Sequence, residues 1–201
     1  MPRQGLDKET VIEQAARLAD EVGFSNVTLK LLAERMNVKS PSLYKHIDGI
    51  DSLNKELMIY GYKMLEKMII DKVMGKSGDD AVRALCNAYY ELATNRPGVF
   101  RAMENYRRFV DAESKQATDG IFKVTSQIFS VYNLNSVQKT HLIRTFRGFL
   151  QGFLTLAVNN LFTDSTDIKE SFDLSVNVLI AGVANLTKYE REEKVIHEEE
   201  N

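Results

Sequence analysis

Apolar residues along the chain recur at spacings of three and four, and no stretch keeps the apolar-polar alternation of a half-buried strand, so the pattern predicts an all-α protein. Val11, Ile12, Ala15, Ala16, Ala19 and Val22 form the stripe of a first helix, with Asp7 as its N-cap and Gly23 as its stop. Thr28 is a natural N-cap for a second helix whose inner face is Leu29, Leu32, Ala33 and Met36. Asn37 follows where the turn needs a left-handed residue. A third helix opens with Ser40 as cap and Pro41 at the first helical position, and Leu43 and Ile47, spaced i, i+4, point inward. Asp48-Gly49 breaks it.

The fourth helix is long and carries Leu53, Leu57, Tyr60, Gly61, Met64, Leu65 and Met68 on one side. Gly75-Lys76-Ser77-Gly78-Asp79 is the strongest linker signal in the chain. A fifth helix then presents Ala81, Leu85, Ala88, Tyr89 and Leu92, and Asn95-Arg96-Pro97-Gly98 ends it. Further helices are expected over Gly98–Phe109, Ser114–Val131, Val137–Phe162 and Ile168–Tyr189, making about nine in all. The expected organisation is a small helix-turn-helix domain over residues 1–48, a larger helical domain over 49–190 and an acidic tail over 191–201. From Lys188 onward that end holds three cations against six glutamates, a composition that frays into solvent.

The chain has 201 residues and a formal charge of -2, which argues against a non-specific coat on nucleic acid. Distribution changes that picture. Between Thr28 and Ile47 the cations Lys30, Arg35, Lys39 and Lys45 face one carboxylate, Glu34, whereas residues 1–27 hold three cations against five carboxylates. No apolar run approaches the ~18 residues that span a bilayer, and the first residues lack the apolar core of a signal peptide, so a cytoplasmic location is expected. The single cysteine, Cys86, excludes an intramolecular disulfide and reads as a small buried apolar residue. An enzyme built on a helical bundle finds no support. His46, His141 and His197 are far apart, and there is no His-Glu-x-x-His motif, paired cysteine or glycine-rich phosphate loop. No catalytic residue, metal site or cofactor is therefore assigned.

With Leu43 and Ile47 inward, Ser40, Pro41, Ser42, Lys45 and His46 face outward at the start of a recognition helix. Short hydroxyls there permit close approach to base edges, and lysine reaches guanine acceptors or phosphate. Tyr44 has the reach for the sugar-phosphate backbone. Lys30 and Lys39 add charge, the N–H groups around Thr28 and Ser40 offer helix N-termini to phosphates, and Arg3 could enter the minor groove from a mobile arm. The expected partner is double-stranded DNA.

Residues 6 to 57, with Leu-Asp at the first helix, Val-Thr-Leu at the second and Ser-Pro-Ser-Leu-Tyr-Lys-His at the third, resemble the DNA-binding domain of the TetR family of bacterial regulators. The run from Arg147 to Leu156, followed by Phe162 and Asp167-Ile168-Lys169-Glu170-Ser171-Phe172, resembles the subgroup with a Trp-His-Gly type C-terminal domain. The tripeptide here is Leu150-Gln151-Gly152, so only the glycine is kept and no ligand role of the family's aromatic and histidine transfers. At the turn into the fourth helix the family often has a phosphate-contacting lysine. This chain has Asp48-Gly49-Ile50-Asp51, with Lys55 a turn later as the candidate substitute.

The resemblance implies a homodimer held by the last two helices. Candidate residues are Gly148, Phe149, Gly152, Phe153 and Leu156 on the penultimate helix and Phe172, Val176, Leu179, Ile180 and Val183 on the last. It also implies a small-molecule effector within the bundle. Candidate lining residues are Met64, Met68, Tyr89, Tyr90, Phe100, Met103, Tyr106 and Phe122, with Asn105, Arg147 and Gln151 as polar anchors. The expected function is a repressor that binds a palindromic operator as a dimer and is released by its ligand. An activator, or a ligand-binding module of the same fold without an operator, are the alternatives.

Overall fold

A computed structural model describes residues 6–199, with side chains through Val183 and at Asn185. Among the described residues there are nine α-helices and no strand: α1 (Lys8–Val22), α2 (Leu29–Arg35), α3 (Ser40–Leu43), α4 (Gly49–Val73), α5 (Gly78–Asn95), α6 (Pro97–Met103), α7 (Ala112–Ile128), α8 (Ser136–Val158) and α9 (Ile168–Glu199). The all-α reading holds. Short 3-10 turns at Phe24–Asn26, Glu104–Arg108 and Phe129–Val131 join some of them.

The local punctuation acts as the sequence pattern predicts. Asp7 Oδ1 accepts the Thr10 backbone N–H at 2.7 Å, and that N–H, with the Thr10 hydroxyl, holds its carboxyl below the usual range. Thr28 Oγ1 accepts the Leu31 N–H at 3.2 Å, and Asn37 sits in the left-handed region at φ 53°. Asn135 and Gln138 close a capping box at the start of α8.

Several boundaries differ: α6 gives way to a 3-10 turn after Met103, α7 runs from Ala112 to Ile128, and α8 ends at Val158 rather than Phe162. Lys39 rather than Ser40 occupies the N-cap of α3, so the Ser40 hydroxyl does not cap and Ser40 is already helical. Helix α3 is a single turn, after which the Leu43 carbonyl accepts both the His46 and Ile47 N–H groups at 2.9 Å. The backbone of α9 continues past Tyr189 to Glu199. Apolar periodicity stops there, but Glu, Lys and Arg are good helix formers without it.

The chain divides into two compact units, residues 6–68 with Glu91–Phe122, and Ile69–Tyr90 with residues 123–199. The core of the first holds Val11, Ala15, Ala19, Leu32, Leu43, Ile47, Leu53, Leu57, Leu65, Val99 and Phe100. Its tightest contact is between α1 and α6, where a Cβ on Gly98 would lie 2.1 Å from the carbonyl of Ala19. The Asp20 carboxylate accepts the N–H groups of Gly98 and Val99 at 2.9 and 3.1 Å and pairs with Arg96. The second unit is organised around Phe172, fully buried against Tyr90, Phe149 and Phe153 at ring separations of 4.9, 5.6 and 5.4 Å.

Candidate nucleic-acid interface

Leu43 and Ile47 are buried, as their spacing predicts, and they fix which side of α3 and the following turn faces out. That outer side carries exposed Lys39, Pro41, Tyr44 and Lys45, with Ser40, Ser42 and His46 half-buried between them. Tyr44 is 59% exposed, a large aromatic held in solvent beside two lysines that make no ion pair among the described residues. Thr28 is exposed at the start of α2. Lys30 approaches Glu34 only at 3.9 Å with both side chains solvated, a pairing too weak to hold it from another partner. Arg3 lies outside the described residues.

The other cations nearby are engaged within the chain. Arg35 makes a two-pronged contact with the Glu21 carboxylate at 2.5 and 2.8 Å and donates to Gln14 at 3.2 Å, fastening α2 to α1. Lys55 reaches Asp111 at 3.0 Å and Glu113 at 3.6 Å, and its hydrogen bond to Asp111 holds its pKa up. The Asp111 carboxyl is pulled down to about 2 by Lys55 and by the Ser114 N–H that it caps. Arg108 pairs with Asp51 at 2.8 Å in the first turn of α4. Lys55 is thus directed toward the start of α7, and the Asp48-Gly49-Ile50-Asp51 turn offers no cation in its place.

The residues expected to line a ligand pocket have varied surroundings. In the first unit Phe100 and Met103 are buried, Met64, Met68, Asn105 and Tyr106 are half-buried, and Phe122 is exposed. In the second unit Tyr89 and Tyr90 are half-buried, whereas Arg147 and Gln151 are exposed on α8. The second unit also holds a cleft of about 330 Å3 between α5 and α9, lined by Arg83, Cys86, Asn87, Lys169, Asp173, Val176 and Asn177. The apolar stripes do not reveal these residues. Their signal is polar spacing, one turn apart on α5 (83, 87) and on α9 (169, 173, 177).

Residues 11–57 match the family model described as bacterial regulatory proteins, tetR family, and residues 82–179 match that of a tetracyclin repressor-like C-terminal domain. The uncharacterized HTH-type transcriptional regulator YobS of Bacillus subtilis is 32% identical over 184 residues, covering 90% of this chain and 95% of YobS. The chain belongs to the TetR family. Its fold is shared with a protein of unknown function from Rhodococcus sp. RHA1, at a TM-score of 0.76 and 16% identity over 90% of this chain and 98% of that one. A variant of TetR from Acinetobacter baumannii AYE, solved in complex with minocycline, superposes at a TM-score of 0.70 with 19% identity, over 91% of this chain and 99% of that one. This TetR-family chain is accordingly a transcriptional regulator, and among its described residues no helix is long and apolar enough to cross a membrane.

On the last two helices of this TetR-family protein, Gly148 and Gly152 face open space and Leu156 is exposed beside them. Phe149 and Phe153 are half-buried in the cluster around Phe172. Phe172, Val176, Ile180 and Val183 are buried inside the single chain, with Leu179 half-buried, so this stripe serves the core. A second apolar stripe one step round α9 points outward: Leu174 is 65% exposed, Val178 62%, and Gly182 meets nothing. Periodicity finds apolar stripes but cannot say which of two is turned inward.

Proposed function

We propose that the chain is a ligand-responsive repressor that binds a palindromic operator as a homodimer and is released by a small molecule. The observation that carries this is the outer face of α3 and its following turn, where Lys39, Pro41, Tyr44 and Lys45 are exposed over the buried pair Leu43 and Ile47. Ser40, Ser42 and His46, half-buried between these exposed residues, are assigned base-edge contacts, and Thr28 and Lys30 are assigned sugar-phosphate contacts from the start of α2. Lys55 is left out of this set because Asp111 and Glu113 already hold it.

In this reading residues 1–48 read DNA, residues 49–190 bind ligand and dimerise, and residues 191–201 form an acidic tail. The dimer face combines Gly148, Gly152 and Leu156 of α8 with Leu174, Val178 and Gly182 of α9, an open, small-residue and apolar surface that a second copy covers. Two-fold symmetry then sets the recognition elements about 34 to 36 Å apart, one turn of the double helix. The minocycline-bound neighbour supports a small-molecule site in a protein of this fold. A ligand that prefers a conformation with α4 displaced lowers operator affinity, and DNA lowers ligand affinity by the same factor. Gel-shift titration with palindromic DNA from the chain's own upstream region tests the reading: a strong preference over scrambled duplex is expected, and near-uniform binding to both overturns it.

A further inference from the structure

The cleft between α5 and α9 combines charged and amide side chains with an apolar floor. Lys169 Nζ lies 2.5 and 2.6 Å from the two Asp173 oxygens and 5.2 Å from the Tyr90 ring centroid, so this lysine and aspartate neutralise each other. Arg83, on the opposite wall, has no carboxylate partner among the described residues. The acid one turn before it, Asp79, instead accepts the Tyr132 hydroxyl at 2.6 Å. The lining residues by themselves carry one net positive charge, and Arg83 presents a guanidinium whose planar fork matches a carboxylate. Asn87 and Asn177 contribute amides from the two walls, each able to donate and accept. Val176 and Cys86 are buried beneath, and burial pushes the Cys86 thiol up to about 12, so it is a neutral, unreactive surface. A volume of about 330 Å3 is at the small end for ligand sites and admits a short carbon skeleton.

We propose that this cleft binds a short-chain monocarboxylate bearing a hydroxyl or carbonyl group, its carboxylate on Arg83 and its second polar group between Asn87 and Asn177. Treating that molecule as the effector rests on the repressor reading above; the binding step does not, and the experiment reads binding alone. Full-length protein is titrated calorimetrically with 3-hydroxybutyrate and with its neutral amide. Saturable binding of one acid per chain is expected below about 10 mM, with the amide at least about tenfold weaker. Arg83→Gln is expected to weaken the acid by about tenfold or more, and Arg83→Lys to restore part of it. Circular dichroism checks that these variants fold; should Arg83→Gln not fold, Asn87→Leu and Asn177→Leu serve in its place, each expected to weaken binding. No saturation with the acid, equal binding of acid and amide, or unchanged affinity in the folded variants overturns the site.

Discussion

The joint between α1 and α6 and the turn around α3 lie in the same compact unit, and they treat polar groups in opposite ways. At the joint, Asp20 satisfies two backbone N–H groups and an arginine, and Gly98 lets two backbones meet. At the turn, Lys39, Tyr44 and Lys45 are turned into solvent and make no ion pair or ring contact among the described residues. A group that is fully partnered contributes to stability and is costly to alter; a group left in water contributes little to folding and is available for binding. Changes at the joint should therefore alter stability, and changes at the turn should alter DNA affinity alone.

The largest effect is expected from Gly98→Ala. The added methyl meets the Ala19 carbonyl and the Asp20 nitrogen, which are backbone atoms and cannot rotate away, so α1 and α6 must separate. A loss of about 3 kcal/mol is expected, read as a lower urea midpoint; an unchanged midpoint would show that the two helices are not tightly apposed. Asp20→Ala comes next. It leaves the Gly98 and Val99 N–H groups and Arg96 without their acceptor in a partly buried place, at a cost of about 2 kcal/mol by the same measurement.

What could be read from the sequence follows from the range of the interaction. Caps at Asp7 and Thr28 and the left-handed Asn37 involve residues three or fewer positions apart, and the inward pair Leu43 and Ile47 follows from helix geometry, so all were legible. The partners of the cations were not. Arg35 and Lys55 counted as basic residues near the motif, yet their partners are Glu21 and Asp111, distant along the chain and adjacent only once α1, α2, α4 and α7 have packed. Charge counting cannot separate a cation that fastens helices from one that faces solvent. The same limit applies to α9, where both stripes are apolar and only packing decides that Phe172 and Val176 go inside while Leu174 and Val178 stay out. The cleft at Arg83 needed both helices in place before its walls could be matched.

Lys45→Ala tests the other side of the comparison. Its ammonium is exposed and makes no ion pair among the described residues, so its removal should leave the unfolding free energy from urea titration within about 0.5 kcal/mol of wild type. Operator binding should weaken, and if Lys45 grips phosphate the slope of log affinity against log salt falls by about 1. A stability loss with intact DNA binding would move Lys45 from the turn's pattern to the joint's.

The smallest effect is expected where the two patterns meet, at Lys55. Its partner Asp111 is surface-exposed, so solvent screens the pair, and the readout is the shape of a pH profile rather than a large shift in stability. The Asp111 carboxyl is depressed from 3.8 to about 2 in the folded chain, so the folded state favours its ionised form. That contribution is present above the unfolded value and fades as pH falls from about 4 through about 2, as the carboxylate takes up its proton. Lys55→Met removes the largest cause of the depression and leaves the Ser114 N–H as the chief remaining one. Two-dimensional NMR of the Asp111 carboxyl should show its titration moving back toward the ordinary range in the variant, with operator affinity unchanged. A loss of operator affinity at constant fold would instead give Lys55 the phosphate contact that its engagement with Asp111 argues against.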